Sequence, residues 1–322
     1  MTTEQLLAMQ AIDGFGNATV MRLARYAERL GANGFATDKD MADFINHCLG
    51  NGMMPRCRRK SVSIDEVGWA RQTAIQIMAE SERSGIEVIS FQDSRYPKRL
   101  LDTIDENGRR DMPAVIHCKG DVSITGMQSV AIIGTQNPTR EGLVAGRHLG
   151  RLFSENGIVV IGGLAAGCDT AGHRGALTAD KGKTIAVLPN GLDTVFPPSN
   201  TMLAKEILDN GGLLISEQPV GVIADKSRLV ARDRIQTALS DAVVVIQTGI
   251  EGGTLHAAMA ALKSGKPLFC VKYHDSTGSL NGSVLGNELL IKRGSRYMTS
   301  DNALAMVRDC IGETMDKEEI SK

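Results

Sequence analysis

The chain predicts an α/β fold: a parallel sheet with helices on both faces, preceded by a small all-helical domain. Three observations carry this. Apolar runs "SVAIIG", "IVVIGG", "TIAVLPNG", "GLLISE", "AVVVIQTG" and "PLFCVK" recur through the second half, continuous and largely β-branched rather than alternating. Strands buried on both faces read this way. Helix-like segments separate these runs, as a parallel sheet requires of its crossovers. Residues 3–83, by contrast, repeat apolar residues near every third or fourth position, which is a helical period.

Within that first region "EQLLAMQAI", "NATVMRLARYAERLG", "DKDMADFINHCLGNG" and "SIDEVGWARQTAIQIMAESERSG" are each expected to form a helix, punctuated by Gly or Asn. Gly14 and Gly16 form a turn before the second of them. Such a turn either offers backbone N–H groups to a phosphate or is a plain helix connector, and the connector is the expectation for so short a motif. "IEVISF" then reads as a strand, and the stretch from "DSRYPKRLL" to "CKGD" as a proline-punctuated connector ending in another short strand. The expected organisation is a helical domain over 1–83, a connector over 84–126 packed on the α/β domain, that domain itself over 127–312, and a polar tail over 313–322.

Composition restricts the partners. Of 322 residues, 42% are apolar and 23% charged, as in ordinary globular domains, and the formal charge of −1 provides no global attraction to a phosphate polymer. Any nucleic-acid site must therefore be a local patch. The six cysteines show no C-x-x-C pair or zinc-ligand spacing, so reduced thiols and no metal are expected. With no signal-peptide pattern and no apolar run of transmembrane length, the expectation is a cytoplasmic protein without a membrane partner.

In an open parallel sheet the ligand crevice lies beyond the carboxyl ends of the strands, where glycines let backbone N–H groups approach an anion. Here Gly134, Thr135 and Gln136 follow one run, Gly162, Gly163 and Gly167 the next, Asn190 and Gly191 a third, and Gly252, Gly253 and Thr254 a fourth. Four such loops on one edge point to a shared phosphate-binding rim. Strict G-x-G-x-x-G spacing is missing, which disfavours a dinucleotide oxidoreductase. Arg232 and Arg234, two apart, would point the same way from an extended segment and offer guanidinium forks to phosphate; the alternative is a solvated charge run paired with Asp225 and Asp233. Asp169 is placed to cap the helix after "VVIGG", with His173 one turn on. The two read as a catalytic pair or as a cap and a packed histidine supporting the pocket. With no nucleophile motif or metal set nearby, the supporting role is the expectation and no catalytic residue is assigned.

Taken in order, "SRYPKRLLDTI", "SVAIIGTQNPT", "GLAAGCDTAGHRGAL", "LPNGLDTVFPPSN", "ARDRIQTALSDAVVVIQTGIEGGTLHAA" and "LGNELLIKRGSRYMTSDNAL" resemble the DprA/Smf DNA-processing family across almost the entire chain. The string Gly167, Asp169, His173, Gly175, Ala176, Leu177 is quite specific to that family. The resemblance implies an extended Rossmann-like domain related to the SLOG group, behind a helical domain of the sterile-alpha-motif kind. It implies a non-enzymatic, cofactor-free protein that holds single-stranded DNA, forms a homodimer and helps load a RecA-type recombinase in DNA uptake, recombination or repair. The runner-up is a SLOG-type sensor that binds or cleaves a nucleotide in a defence system. Departures are visible: Thr135 and Gln136 stand where the family has Ser-Arg, Pro198 where it often has a cation, and Asp233 where it has Asn. The winged helix that many members carry at the C-terminus is expected to be missing.

Overall fold

The computed structural model describes residues 1–320 apart from 33, 56, 106 and 274–281, with side chains described to residue 312. Four helices come first: α1 (Thr3–Ala11), α2 (Asn17–Arg29), α3 (Asp38–Gly50) and α4 (Ile64–Arg83). The sequence starts three of them with capping boxes, Thr2 with Gln5, Thr37 with Asp40 and Ser63 with Glu66, each side chain satisfying the other residue's backbone N–H. Their apolar faces meet in a core of Leu6, Leu23, Met41, Ile45 and Val67, which runs on without a break into Ile89 and Ile116 of the sheet.

One nine-stranded sheet forms the rest of the framework. Its strands are β1 (Glu87–Ser90), β2 (Val115–Gly120), β3 (Ser129–Ile133), β4 (Val159–Gly162), β5 (Thr184–Leu188), β6 (Leu213–Ser216), β7 (Ala242–Val245), β8 (Leu268–Val271) and β9 (Arg296–Met298). They lie in the order β1-β2-β6-β5-β4-β3-β7-β8-β9. From β6 to β9 all neighbours pair in parallel, and the six apolar runs of the sequence are β3 to β8, each buried along its length. The segment 84–126 contributes β1 and β2, which extend the same sheet by antiparallel pairing.

Helices α5 (Arg140–Glu155), α6 (Cys168–Ala176), α7 (Thr201–Asp209), α8 (Lys226–Leu239), α9 (Gly253–Lys263) and α10 (Leu285–Lys292) connect the strands. The stretch that reads as a polar tail continues as helix: α11 spans Ala303–Ile320. Two cores lie against the α/β part of the sheet besides the one shared with the helical domain, one around Phe153, Val160 and Phe269 and one around Leu188, Leu203 and Ile207. Burial of such side chains stabilises by about 1.5–3 kcal/mol each, the main term that orders the sheet.

The direction of winding reverses at β3: β4, β5 and β6 follow on one side, β7, β8 and β9 on the other. This switch point, at the carboxyl ends of β3 and β7, is where an open α/β sheet leaves a crevice.

Candidate functional site

At the switch point the loop after β3 is tied down from several directions. The Thr135 N–H donates to the Gln247 carbonyl at 2.8 Å, and the Thr139 N–H to Gln247 Oε1 at 2.9 Å, while Gln247 Nε2 donates to Thr139 Oγ1. Gln247 is fully buried. Asn287, from the "LGNELL" segment, then holds the loop after β7: its Oδ1 accepts the Thr248 N–H at 2.9 Å and its amide donates to the carbonyls of Ile246 and Val271. Neither residue carried a signal in the sequence, because each acts through partners distant along the chain.

The loop "GGLAAG" after β4 is held more tightly still. Asp169 Oδ2 accepts the Gly163 N–H at 2.8 Å, Asn200 Nδ2 donates to the Leu164 carbonyl at 2.7 Å, and Thr170 Oγ1 donates to the Ala165 carbonyl. Leu164, buried, sits at φ 58°, a strained conformation for a branched side chain that only such surroundings sustain. The cap of α6 is therefore Gly167, at φ 82°, and not Asp169. Asp169 is the second residue of the helix and its carboxylate reaches back to the loop, correcting the expected N-cap. Burial drives its carboxyl up to about 6, against the opposing pull of the Arg232 charge and the Gly163 amide.

His173 is also fully buried, and its Nδ1 lies 2.7 Å from Thr184 Oγ1, whose hydroxyl in turn donates to the Val160 carbonyl. Its Nε2 has no hydrogen-bond partner and packs on Gly162, where an added Cβ would lie 2.7 Å away. Burial holds the imidazole down to about 3, so it is neutral at physiological pH. Asp169 and His173 thus engage separate partners, Gly163 and Thr184, rather than each other. The remaining positions of the motif are also packing positions: an added Cβ on Gly175 would meet the Arg147 carbonyl oxygen of α5 at 2.1 Å, so glycine lets α5 and α6 touch backbone to backbone.

The two arginines require a correction. Residues 226–239 are helical, not extended, so positions two apart point to nearly opposite sides. Arg232 Nη1 donates to the Val187 carbonyl at 2.8 Å, and its Nε lies 2.8 Å from Asp233 Oδ1, an ion pair without the linear geometry of a hydrogen bond. The guanidinium presses on Gly163 so closely that any Cβ there would fall 1.6 Å from Nη1. Arg234 faces the other way: Nη2 is 2.7 Å from Glu217 Oε1 and Nε 2.7 Å from Asp111 Oδ2, with its side chain only 8% exposed. Both cations neutralise internal acceptors.

Among the other expected rim residues, Gly134, Gly162, Gly163, Asn190 and Gly191 are buried and Thr135, Gly167 and Thr254 half-buried, while Gln136, Gly252 and Gly253 are exposed. Asn190 Nδ2 donates to the Gly191 and Thr194 carbonyls and the Gly191 N–H to the Val222 carbonyl, bracing the loop after β5 from within. What faces outward is the set Thr135, Gln136, Gly167 and Gly252–Thr254. Two helices open there on glycine N-caps, α6 on Gly167 and α9 on Gly252, but the first turn of α6 is already engaged: its Cys168 N–H donates to the Thr135 carbonyl at 3.2 Å, its Thr170 N–H to the Ala165 carbonyl at 3.1 Å, and the Asp169 carboxylate lies in the same turn. The uncapped first turn of α9 carries positive partial charge and N–H donors suited to an anion. At the Gly14–Gly16 turn the start of α2 also lacks a side-chain cap, but the carboxylate of Glu217 stands beside it, accepting from Asn17 Nδ2 at 2.5 Å. Among the described residues, no group of three or more His, Cys, Asp or Glu is placed to hold a metal ion, and no helix is long and apolar enough to cross a membrane.

These features define a Rossmann-like α/β protein with an anion-suited rim at its switch point. The sequence profile of the family described as DNA recombination-mediator protein A matches residues 87–308, and the chain belongs to that family. It is 31% identical to the DNA processing protein DprA of Bacillus subtilis (strain 168), over 70% of this chain and 72% of that protein. It is likewise 31% identical to the protein Smf of Escherichia coli (strain K12), over 68% of this chain but only 55% of the relative. Among solved structures, DNA processing protein A from Streptococcus pneumoniae superposes with a TM-score of 0.74 at 24% identity, over 95% of this chain and 98% of that one. DNA processing protein A from Helicobacter pylori, whose structure is described for its single-stranded DNA binding mode, superposes with a TM-score of 0.59 at 30% identity, over 70% of this chain and 97% of that one.

Proposed function

We propose that this chain is a recombination mediator that binds single-stranded DNA along the carboxyl-end rim and, as a homodimer, presents it to a RecA-type recombinase without chemical turnover. The observation that carries the binding reading is the uncapped start of α9 at Gly252, at the switch point, with the exposed Gln136 on the loop after the neighbouring strand β3. Backbone N–H groups there take the phosphates. In this reading Thr135, Gln136, Gly167, Gly252, Gly253 and Thr254 contact the strand, and Gly134, Gly162, Gly163, Asn190, Gly191, Asp169, His173, Arg232 and Arg234 hold the rim in shape. Family membership and the single-stranded DNA binding described for the Helicobacter pylori relative support the choice of ligand. The internal engagement of Asp169 and His173 supports a binding role over catalysis.

Gly253→Glu tests this directly. An added side chain at Gly253 meets open space, and a carboxylate in the first turn of α9 favours the helix by about 0.3–1 kcal/mol while occupying the phosphate position with like charge. Loss of one charged hydrogen bond, about 1.5–3 kcal/mol, weakens an oligonucleotide by roughly tenfold or more. Unchanged affinity in a protein that melts no lower than wild type would remove α9 from the site. A free nucleotide bound tightly, with no DNA binding, would favour the nucleotide sensor.

A further inference from the structure

A cluster of exposed arginines lies where α2 faces the segment that leads into β2. There a cleft of about 260 Å³ opens between Arg22 and Arg25 of α2 and Arg109 of the connecting segment. Arg22 and Arg25, three apart, share one face of the helix, and all three arginines are exposed. None of them has an acidic partner among the described residues. The setting contrasts with the arginines nearby: Arg59 pairs with Glu66, Arg110 with Asp102 and Arg234 with Glu217. Among the described residues of the cleft wall the one carboxylate, Asp111, is neutralised by Arg234 at 2.7 Å. The floor is apolar, made by the buried side chains of Met21, Met54 and Met112. Guanidinium groups over a methionine floor suit a ligand that combines a phosphate with a flat apolar body.

The topology places this cleft on the same side of the sheet as the rim. β2 runs antiparallel to β6, so its start at Val115 lies by the carboxyl end of β6, and Asn17 of α2 bonds Glu217 just past that end. From β3 to β2 there are four strand spacings, on the order of 19 Å. We infer that the Arg22, Arg25 and Arg109 cleft is a second phosphate-and-base contact for a single DNA strand that also lies on the rim, which extends the path of the strand from the switch point onto the helical domain. This inference rests on the rim reading above.

The test compares Arg22→Glu/Arg25→Glu, and separately Arg109→Glu, with wild type on fluorescent oligothymidylates of about 5 and 20 nucleotides, lengths that bracket typical single-strand site sizes. The expected result is that the variants melt like wild type and bind the short oligonucleotide normally, but lose at least about tenfold in affinity for the long one. The slope of log affinity against log salt for the long one should fall by about 1.4 in the double variant and 0.7 in the single, the single-strand value per phosphate contact. Long-oligonucleotide affinity and slope unchanged in both variants would overturn the cleft and leave the rim standing. Short-oligonucleotide binding that is absent in wild type, or indifferent to Gly253→Glu, would instead remove the rim, and a linked path with it.

Discussion

Arg234→Met puts the assignment of the two arginines to internal roles at risk. The methionine keeps most of the aliphatic stem but removes the charge that lies 2.7 Å from both Glu217 and Asp111. Glu217, its side chain only 13% exposed, would keep the Asn17 amide as donor but no cation. Removing one partner of a buried pair costs about 3–5 kcal/mol, because the remaining charge is left desolvated. For a chain of 322 residues each kcal/mol lowers Tm by roughly 1.5 °C, so the melting midpoint should fall by about 4–7 °C. The same change loosens the seat of α2, since Glu217 is also its anchor. Calorimetry at pH 7 reads the shift, and adding Glu217→Gln should recover about 0.5–3 kcal/mol by removing the orphaned charge. The salt slope of DNA binding in the folded variant should stay that of wild type. A Tm within a degree of wild type, together with a slope reduced by about 0.7, would mean that Arg234 meets DNA phosphate and that the internal pairing does not govern it.

Three further outcomes are expected from the same geometry. Gly163→Ala forces a methyl into the Arg232 guanidinium, so it should cost several kcal/mol, roughly 3–5, by dislodging a buried charge, and thermal melting will show whether Arg232 instead swings aside without loss. His173 and His117, held by burial near 3 and 4 against about 6.5 when unfolded, contribute stability that is intact above pH 6.5 and lost on acidification. Each should remove about 3 kcal/mol by pH 4, while Asp169, whose carboxyl is raised to about 6, works in the opposite direction over the same interval; urea titrations between pH 7 and 4 that show no net loss would contradict the buried neutral imidazoles. Asn287→Ala leaves the Thr248 N–H and the carbonyls of Ile246 and Val271 without their buried partner, so a loss of about 1–3 kcal/mol is expected in chemical denaturation, and none if water replaces the amide.

The strands were legible because a parallel strand buried on both faces has to be a continuous apolar run, and β3 to β8 are such runs. β9 was not, since three residues with two of them exposed leave no pattern to read. The loops of the rim were legible from their glycines, but which of those glycines face outward was not. Gly163 is covered by an arginine 69 positions later in the chain, a contact no local spacing announces. The same holds for Arg234: whether it points at a ligand or at Asp111, 123 residues away, depends on residues 226–239 being helical and on where that helix is laid. Asp169 stood at the right distance for a cap, yet the preceding glycine, able to adopt φ 82°, ends the loop and leaves the carboxylate to reach backward. Local propensity marked the loops of the candidate rim, and long-range pairing decided how each residue in them is engaged.

In the proposed function, single-stranded DNA lies on the carboxyl edge of the sheet. Photo-crosslinking with an oligothymidylate carrying 5-iodouridine, followed by peptide mapping, tests it most directly. Crosslinks should fall in the segments 134–139, 165–168 and 249–254, and disappear from the last of these in Gly253→Glu. Crosslinks confined to the opposite edge, at the turns around Gly157, Gly182 and Gly211 that precede β4, β5 and β6, would contradict it.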